Sequence, residues 1–229
     1  MTTKPALCII ALTGLSALVH AATITGKVVD TASRPVTAFV TISQLPTSLS
    51  AKPGSMFASA IQAAADGTFS FADLPPGAYM LCAQVPKGTL INPCQWTTAP
   101  PPHLTLSAAA STASITLTMR PGYRIPIRID DPHGMLNAHE GKTPGAHLLV
   151  GVHGGYRFEA ADIDSTDSSG RNLSVLVPFD APVAVSFQGG FFKLQDSAGN
   201  AVNKGIAMPV TVASAAPSAK LNIKVIGTN

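Results

Sequence analysis

Four histidines fall close together: His133, His139, His147 and His153, with Glu140 among them. Neutral imidazole is a good ligand for zinc or copper, and residues separated by an even number point to one face of a strand, as His147 and His153 would. Short ligand spacings such as His-Glu-x-x-His do not occur. Surface loop histidines are therefore the commoner explanation, and a metal-dependent or accessory enzyme using His133 to His153 is the alternative. Asp162, Asp164 and Asp167 form an acidic run before Gly170. Carboxylates at such positions could hold calcium, but the glycine and closing glutamate of an EF-hand loop are missing, so a solvated turn is expected. Five rings lie near glycine or proline breaks: Trp96, Tyr123, Tyr156, Phe191 and Phe192. Rings on the edge of a β-sandwich can grip sugars or peptides, which makes these five the candidate ligand-facing aromatics. The ordinary alternative is that each fills the core. Gly-x-Ser-x-Gly is absent, no glycine-rich phosphate loop precedes a helix, and carboxylates are sparse and scattered. The sequence thus nominates no catalytic residue, no cofactor and no metal ligand.

The elements that must position these side chains read as strands. Thr68, Phe69, Ser70 and Phe71 alternate polar and aromatic, putting both rings on one face. Asp66-Gly67 before them is a hairpin turn signal, because glycine tolerates positive φ. Pro75-Pro76-Gly77 ends the run as a second turn, and Tyr79, Leu81 and Ala83 continue along one face of the next strand. Ile24, Gly26 and Val28 share a face before them, as do Ala38, Val40 and Ile42. Gln44 to Ile61 is less regular and reads as a long loop or weak edge hairpin. Leu104–Leu106 and Ser114–Met119 close the unit, and Arg120-Pro121-Gly122 ends it. Helix-period patterns of useful length are absent.

In order, Gly26-Lys27-Val28-Val29-Asp30, Pro35-Val36, Asp66-Gly67-Thr68-Phe69-Ser70-Phe71 and Leu74-Pro75-Pro76-Gly77-Ala78-Tyr79 resemble the carboxypeptidase regulatory-like (transthyretin-like, or prealbumin-like) β-sandwich family. The resemblance covers about Thr23 to Gly122, and Arg34 departs from it where the family often has glycine. It implies a non-catalytic structural, binding or adhesion role, with carbohydrate the first ligand class to test. Intradiol ring-cleaving dioxygenases share a related sandwich and hold iron with two tyrosines and two histidines. This chain has Tyr79, Tyr123 and Tyr156 but no His-x-His pair, and Tyr79 has a sufficient role as a core residue.

A second unit looks like a diverged repeat of the first. Leu104, Leu106, Ala109, Ala110, Ile115, Leu117 and Met119 are matched at one constant spacing by Val210, Val212, Ala215, Ala216, Leu221, Ile223 and Val225. Ile125, Ile127, Ile129 and Asp131 parallel Ile24, Gly26, Val28 and Asp30. Leu173 and Val175 parallel Phe69 and Phe71, and Pro144 to Val152 parallels Pro35 to Ile42. Phe179-Asp180-Ala181-Pro182 stands where Pro-Pro-Gly would. The expected fold class is all-β: two tandem Ig-like or prealbumin-like antiparallel β-sandwiches, residues 22–120 and 121–229, after a signal peptide at residues 1–21.

The leader reading rests on Lys4, the apolar run Ala6 to Val19 and the small-residue site Val19-His20-Ala21. Export places the chain in the periplasm, at the cell surface or outside, with the membrane engaged only through the cleaved leader. Loss of the leader removes Cys8 and leaves Cys82 and Cys94, expected as a disulfide where the compartment is oxidising and otherwise as free thiols. Charged residues are only 12% of the chain and the net charge is +3. With no Lys/Arg run, a nucleic-acid partner is not expected. The expected partners are a glycan or another envelope protein.

Overall fold

The computed structural model describes residues 22–46, 57–96, 100–107, 112–154, 157–202 and 207–229. The leader at residues 1–21, Ala109, Ala110 and Tyr156 lie outside the described residues. The period-two alternation sets the strands. β1 (Ala22–Asp30) buries Ile24 and Val28, and β2 (Phe39–Gln44) buries Val40 and Ile42. β3 (Ala58–Gln62) lies alongside β2. β4 (Thr68–Leu74) turns Phe69 and Phe71 inward, and β5 (Gly77–Gln84) turns in Tyr79 and Leu81. After the short β6 (Leu90–Ile91) and β7 (His103–Leu106) comes β8 (Thr112–Asp130), 19 residues long. A short helix, α1 (Met135–His139), leads to β9 (Leu149–Gly154), β10 (Arg157–Ala160), β11 (Asp162–Asp167) and β12 (Gly170–Pro178). β13 (Pro182–Gln188), β14 (Phe192–Asp196), β15 (Ala207–Thr211) and β16 (Leu221–Thr228) complete the chain. No described helix is long and apolar enough to cross a membrane.

Two hydrophobic cores result. The first gathers Ile24, Val40, Phe71, Tyr79, Leu81 and Leu117 between the sheet portion β8-β1-β4 and the sheet β3-β2-β5-β7. The second gathers Ile127, Val152, Val175, Val185, Phe187 and Val225 between β16, β8, β12 and the sheet β10-β9-β13-β15. Among the described strands the pairings are antiparallel except for one in each sandwich, where first and last strands run parallel: β1 with β8, and β8 with β16. The pairing order repeats, and so does the register. Ile115 faces Gly26 as Leu221 faces Ile127, Phe69 faces Gly26 as Leu173 faces Ile127, and Leu104 faces Tyr79 as Val210 faces Val183.

Two local readings of the sequence are corrected. The Asp66-Gly67 and Pro75-Pro76-Gly77 turns are not hairpins: β3 pairs with β2, β4 with β1, and β5 with β2 and β7. Both turns carry the chain from one sheet to the other, so Phe71 and Tyr79 meet across one core. The signal fixes a tight reversal but not which strands pair after it. The closing strand read as Ser114–Met119 does not stop before Arg120-Pro121-Gly122 either. β8 leaves β1 after Met119 and joins β12 from Gly122, so Pro121 falls in the hand-over. Among the described residues only β6 lies beside it there, and the missing proline N–H costs no long-strand hydrogen bond.

The loop carrying β6 grips this hand-over. Cys82 and Cys94 form a disulfide, with Cα atoms 5.5 Å apart. Gly122 N–H donates to Thr89 O at 2.7 Å, Arg124 Nε to Gly88 O at 2.8 Å and Arg120 to Trp96 O at 3.3 Å. Gly122 has to be glycine here, since a Cβ would stand 2.6 Å from Val177 O.

Candidate binding cleft

The outward face of the sheet β10-β9-β13-β15 carries small residues. Ser186 on β13 stands opposite Gly151 of β9 and Ala207 of β15. Neither neighbour offers a polar side chain, and the Phe158 ring lies over Gly151, where a Cβ would come within 2.3 Å of Phe158 Cζ. Small side chains beside larger walls leave a hollow, here an 820 Å³ cleft between the loop at Pro144–His147 and the turn at Gly189–Phe191. Its walls include His147, His153, Gln188 and Phe191, with Ser186 and Ala207 on the sheet. None of its described lining residues is Asp, Glu, Lys or Arg.

The aromatic walls are held from behind. The His153 ring meets Phe158 edge-on at 5.2 Å between centroids. Phe191 lies 5.2 Å from the His139 ring and 5.2 Å from Phe192. Ser186 is only 4% exposed, and its Oγ is the one buried side-chain N or O atom among the described residues without a hydrogen-bond partner. A buried hydroxyl left so costs about 1–3 kcal/mol.

The aromatics singled out in the sequence divide. Phe191 lines the cleft, and Phe192 behind it is a core residue, 3% exposed. Trp96 is half-buried and packs against the second core, as does Tyr123, whose ring is tilted against Phe179 at 6.5 Å. Of the histidines, His147 and His153 share the cleft. His139 is turned toward Thr143, 3.2 Å from Nδ1 to the hydroxyl, and His133 is exposed. Glu140 is taken up by Arg171 and by the N–H of Leu148. Among the described residues no three His, Cys, Asp or Glu side chains converge in a way that could hold a metal ion.

The acidic run has structural partners. Asp162 pairs with Arg124 at 2.8 Å, and Asp167 takes both ends of the Arg128 guanidinium at 2.7 and 3.1 Å. Donation from Arg128 and Ser169 holds the Asp167 carboxyl well below the usual carboxylate range, and Asp167 and Asp130 raise Arg128 in turn. Asp164 is exposed on β11. Tyr79 is fully buried and donates its hydroxyl to Pro75 O at 2.6 Å. Burial raises its phenol above the ordinary value.

A second hollow, of 710 Å³, lies on the outer face of the first sandwich among Thr25, Lys27, Thr68, Ser70, Ser114 and Thr116. Two of its hydroxyls have partners: Thr68 donates to Asp66 and Thr25 to Ala113 O. The sequence marked Phe191, His147 and His153 but missed Ser186 and the glycine opposite it. Its one available signal was a polar residue in the alternating run Val183, Val185, Phe187.

No family model matches the chain, and no curated protein matches it. Among solved structures, it is similar to a streptococcal ancillary pilin at 12% identity and a TM-score of 0.40, covering 89% of this chain and 62% of that one. It is similar to the TIE protein of Bacillus anthracis at 9% identity and a TM-score of 0.34, covering 90% of this chain and 34% of that one. The major pilin SpaD of Corynebacterium diphtheriae gives 11% identity and a TM-score of 0.34, covering 82% of this chain and 63% of that one. The chain spans less than two thirds of each of these three proteins. Its two-sandwich architecture rests on its own strand pairing rather than on these likenesses.

Proposed function

We propose that the chain is an exported, non-catalytic scaffold of the cell envelope, built to present or space binding surfaces. The observation that carries this reading is β8, which enters both cores without a linker. A shared strand fixes one sandwich relative to the other, which suits display and assembly better than closure over a substrate. Residues 22–120 and 121–229 are two domains in this reading, the second a duplicated and diverged copy of the first. The first is a distant member of the carboxypeptidase regulatory-like family. The paired Cys82 and Cys94 fit an oxidising compartment beyond a cleaved leader. The outer edges of β3 and β11, which pair with no further described strand, offer backbone for a protein partner, and glycan is the first small ligand to test.

Two measurements test this reading together. Amino-terminal sequencing of the protein from the cell envelope is expected to begin at Ala22. Crosslinking in intact cells, followed by pull-down, is expected to capture a defined envelope partner. Recovery of the unprocessed chain in the cytosol would defeat the proposal. The shared position of His147 and His153 favours one rival, a metal-dependent enzyme. Stoichiometric zinc or copper in the purified protein, lost in His147→Ala and His153→Ala, would decide for that rival.

A further inference from the structure

We propose that the cleft over Ser186 binds a neutral, polyhydroxylated ligand, a sugar of one or two rings. The proposal deepens the scaffold reading and rests on it for the absence of turnover. Three observations carry it. The first is the buried hydroxyl of Ser186, which no described protein group satisfies, on the cleft floor. Gly151 and Ala207, its cross-strand neighbours, cannot supply a side-chain partner, so a ligand hydroxyl would complete it once the Ser186 side chain, whose Oγ is closed to solvent, rotates toward the cleft.

The second is the character of the walls. His147, His153 and Gln188 offer hydrogen-bonding groups, while Phe191 and Pro144 offer apolar surface. Without Asp, Glu, Lys or Arg among the described lining residues, a charged ligand finds no fixed counter-ion, whereas a sugar brings hydroxyls on its rim and C–H bonds on its face. The third is preorganisation. Phe158 backs His153, and His139 and Phe192 back Phe191, so two walls keep their positions before a ligand arrives. The 820 Å³ volume suits one or two sugar rings.

The test is NMR titration of the full mature chain with cellobiose, maltose, N,N′-diacetylchitobiose, galactose and mannose, and with glucose 6-phosphate and glucuronate as charged controls. At least one neutral sugar is expected to bind saturably and to shift the imidazole signals of His147 and His153 while leaving His103 and His133 in place. Ser186→Ala is expected to weaken that binding by about tenfold, the worth of one hydrogen bond, with an unchanged or raised Tm because an unsatisfied hydroxyl has gone. Gln188→Ala, at the strand end, is expected to weaken the same binding and gives a second reading should Ser186→Ala fold poorly. The proposal falls if no neutral sugar moves these signals, if a charged control binds more tightly, or if both variants keep full affinity. A lowered Tm in Ser186→Ala with affinity intact would also overturn it, by making the hydroxyl structural. Failure to bind sugar beside a captured envelope partner sinks the cleft and spares the scaffold. A bound sugar converted to new anomeric signals spares the cleft and sinks the non-catalytic reading.

Discussion

Single side chains here do their work at sheet corners. Tyr79 sits in the first core with its hydroxyl on Pro75 O, tying the start of β5 to the corner that delivers it. Tyr79→Phe leaves the packing and removes that bond, and is expected to cost about 1 kcal/mol in urea unfolding. Asp131 is 2% exposed and accepts the N–H groups of Met135 at 2.8 Å and Leu136 at 2.7 Å. Asp131→Ala strands both donors and is expected to cost about 2 kcal/mol. No change in either variant would mean that the bonds are replaced on truncation. Carboxylates also set the acid limit. Asp167 is lowered by Arg128 and Ser169, Asp30 by Arg34 and Ala32, and Asp196 by Asn200. A depressed folded-state value stabilises the fold fully above the unfolded value of about 3.9 and is lost as pH falls through the folded one. Urea midpoints are therefore expected to hold from neutral pH down to about 5 and to decline below about 4. In Arg128→Leu the decline should be shallower; an identical acid limb would show that Asp167 contributes nothing. Asp131 was legible only as the partner of Asp30 in a repeat. The five-residue helix it supports is too short to leave a period in the sequence. Ser186 was hidden for a different reason: its environment depends on what two other strands place beside it.

At the scale of elements, alternation was read correctly and connection was not. Val40 and Ile42 in β2, and Ile223 and Val225 in β16, lie on the faces that their parity assigns. Constant spacing between Leu104–Met119 and Val210–Val225 even anticipates the register of the repeated pairings. Asp66-Gly67 misled because a turn signal is local, while the choice between hairpin and cross-sheet corner depends on how two sheets share a core. The cysteine loop holds a further element, β6, against β8, with Leu90 opposite Pro121 and Ile91 opposite Arg120. Opening the Cys82–Cys94 bridge frees a loop of sequence separation 12, and is expected to cost about 2–4 kcal/mol. The amide of Gly122, bonded to Thr89 O in the disulfide form, should then exchange with solvent measurably faster. Hydrogen exchange on oxidised and reduced protein checks this. Equal protection at Gly122 would mean that the bridge does not hold the hand-over.

The whole molecule behaves as its longest strand dictates. β8 gives Leu117 and Met119 to the first core and Ile125, Ile127 and Ile129 to the second, odd-numbered residues on both sides of a hand-over where Arg120 and Pro121 are both exposed and Gly122 is buried. Because side chains alternate with a period of two, an insertion in the hand-over has an effect set by parity. One added glycine between Arg120 and Pro121 shifts the second half of β8 by a face, turning three isoleucines out of the core or forcing the first half to turn. It is expected to destabilise the chain by several kcal/mol, since each such side chain is worth about 1.5–3 kcal/mol when buried. Two added residues, Gly-Ser, restore the parity and keep both cores filled, while loosening the rigid connection. The unaltered protein is expected to melt in one calorimetric transition, the one-residue variant at much lower temperature, and the two-residue variant in two separable transitions. If the two-residue insertion still melts as one, coupling runs through the disulfide loop and Arg124 rather than through the strand, and the rigidity ascribed to β8 belongs to the clamp around it.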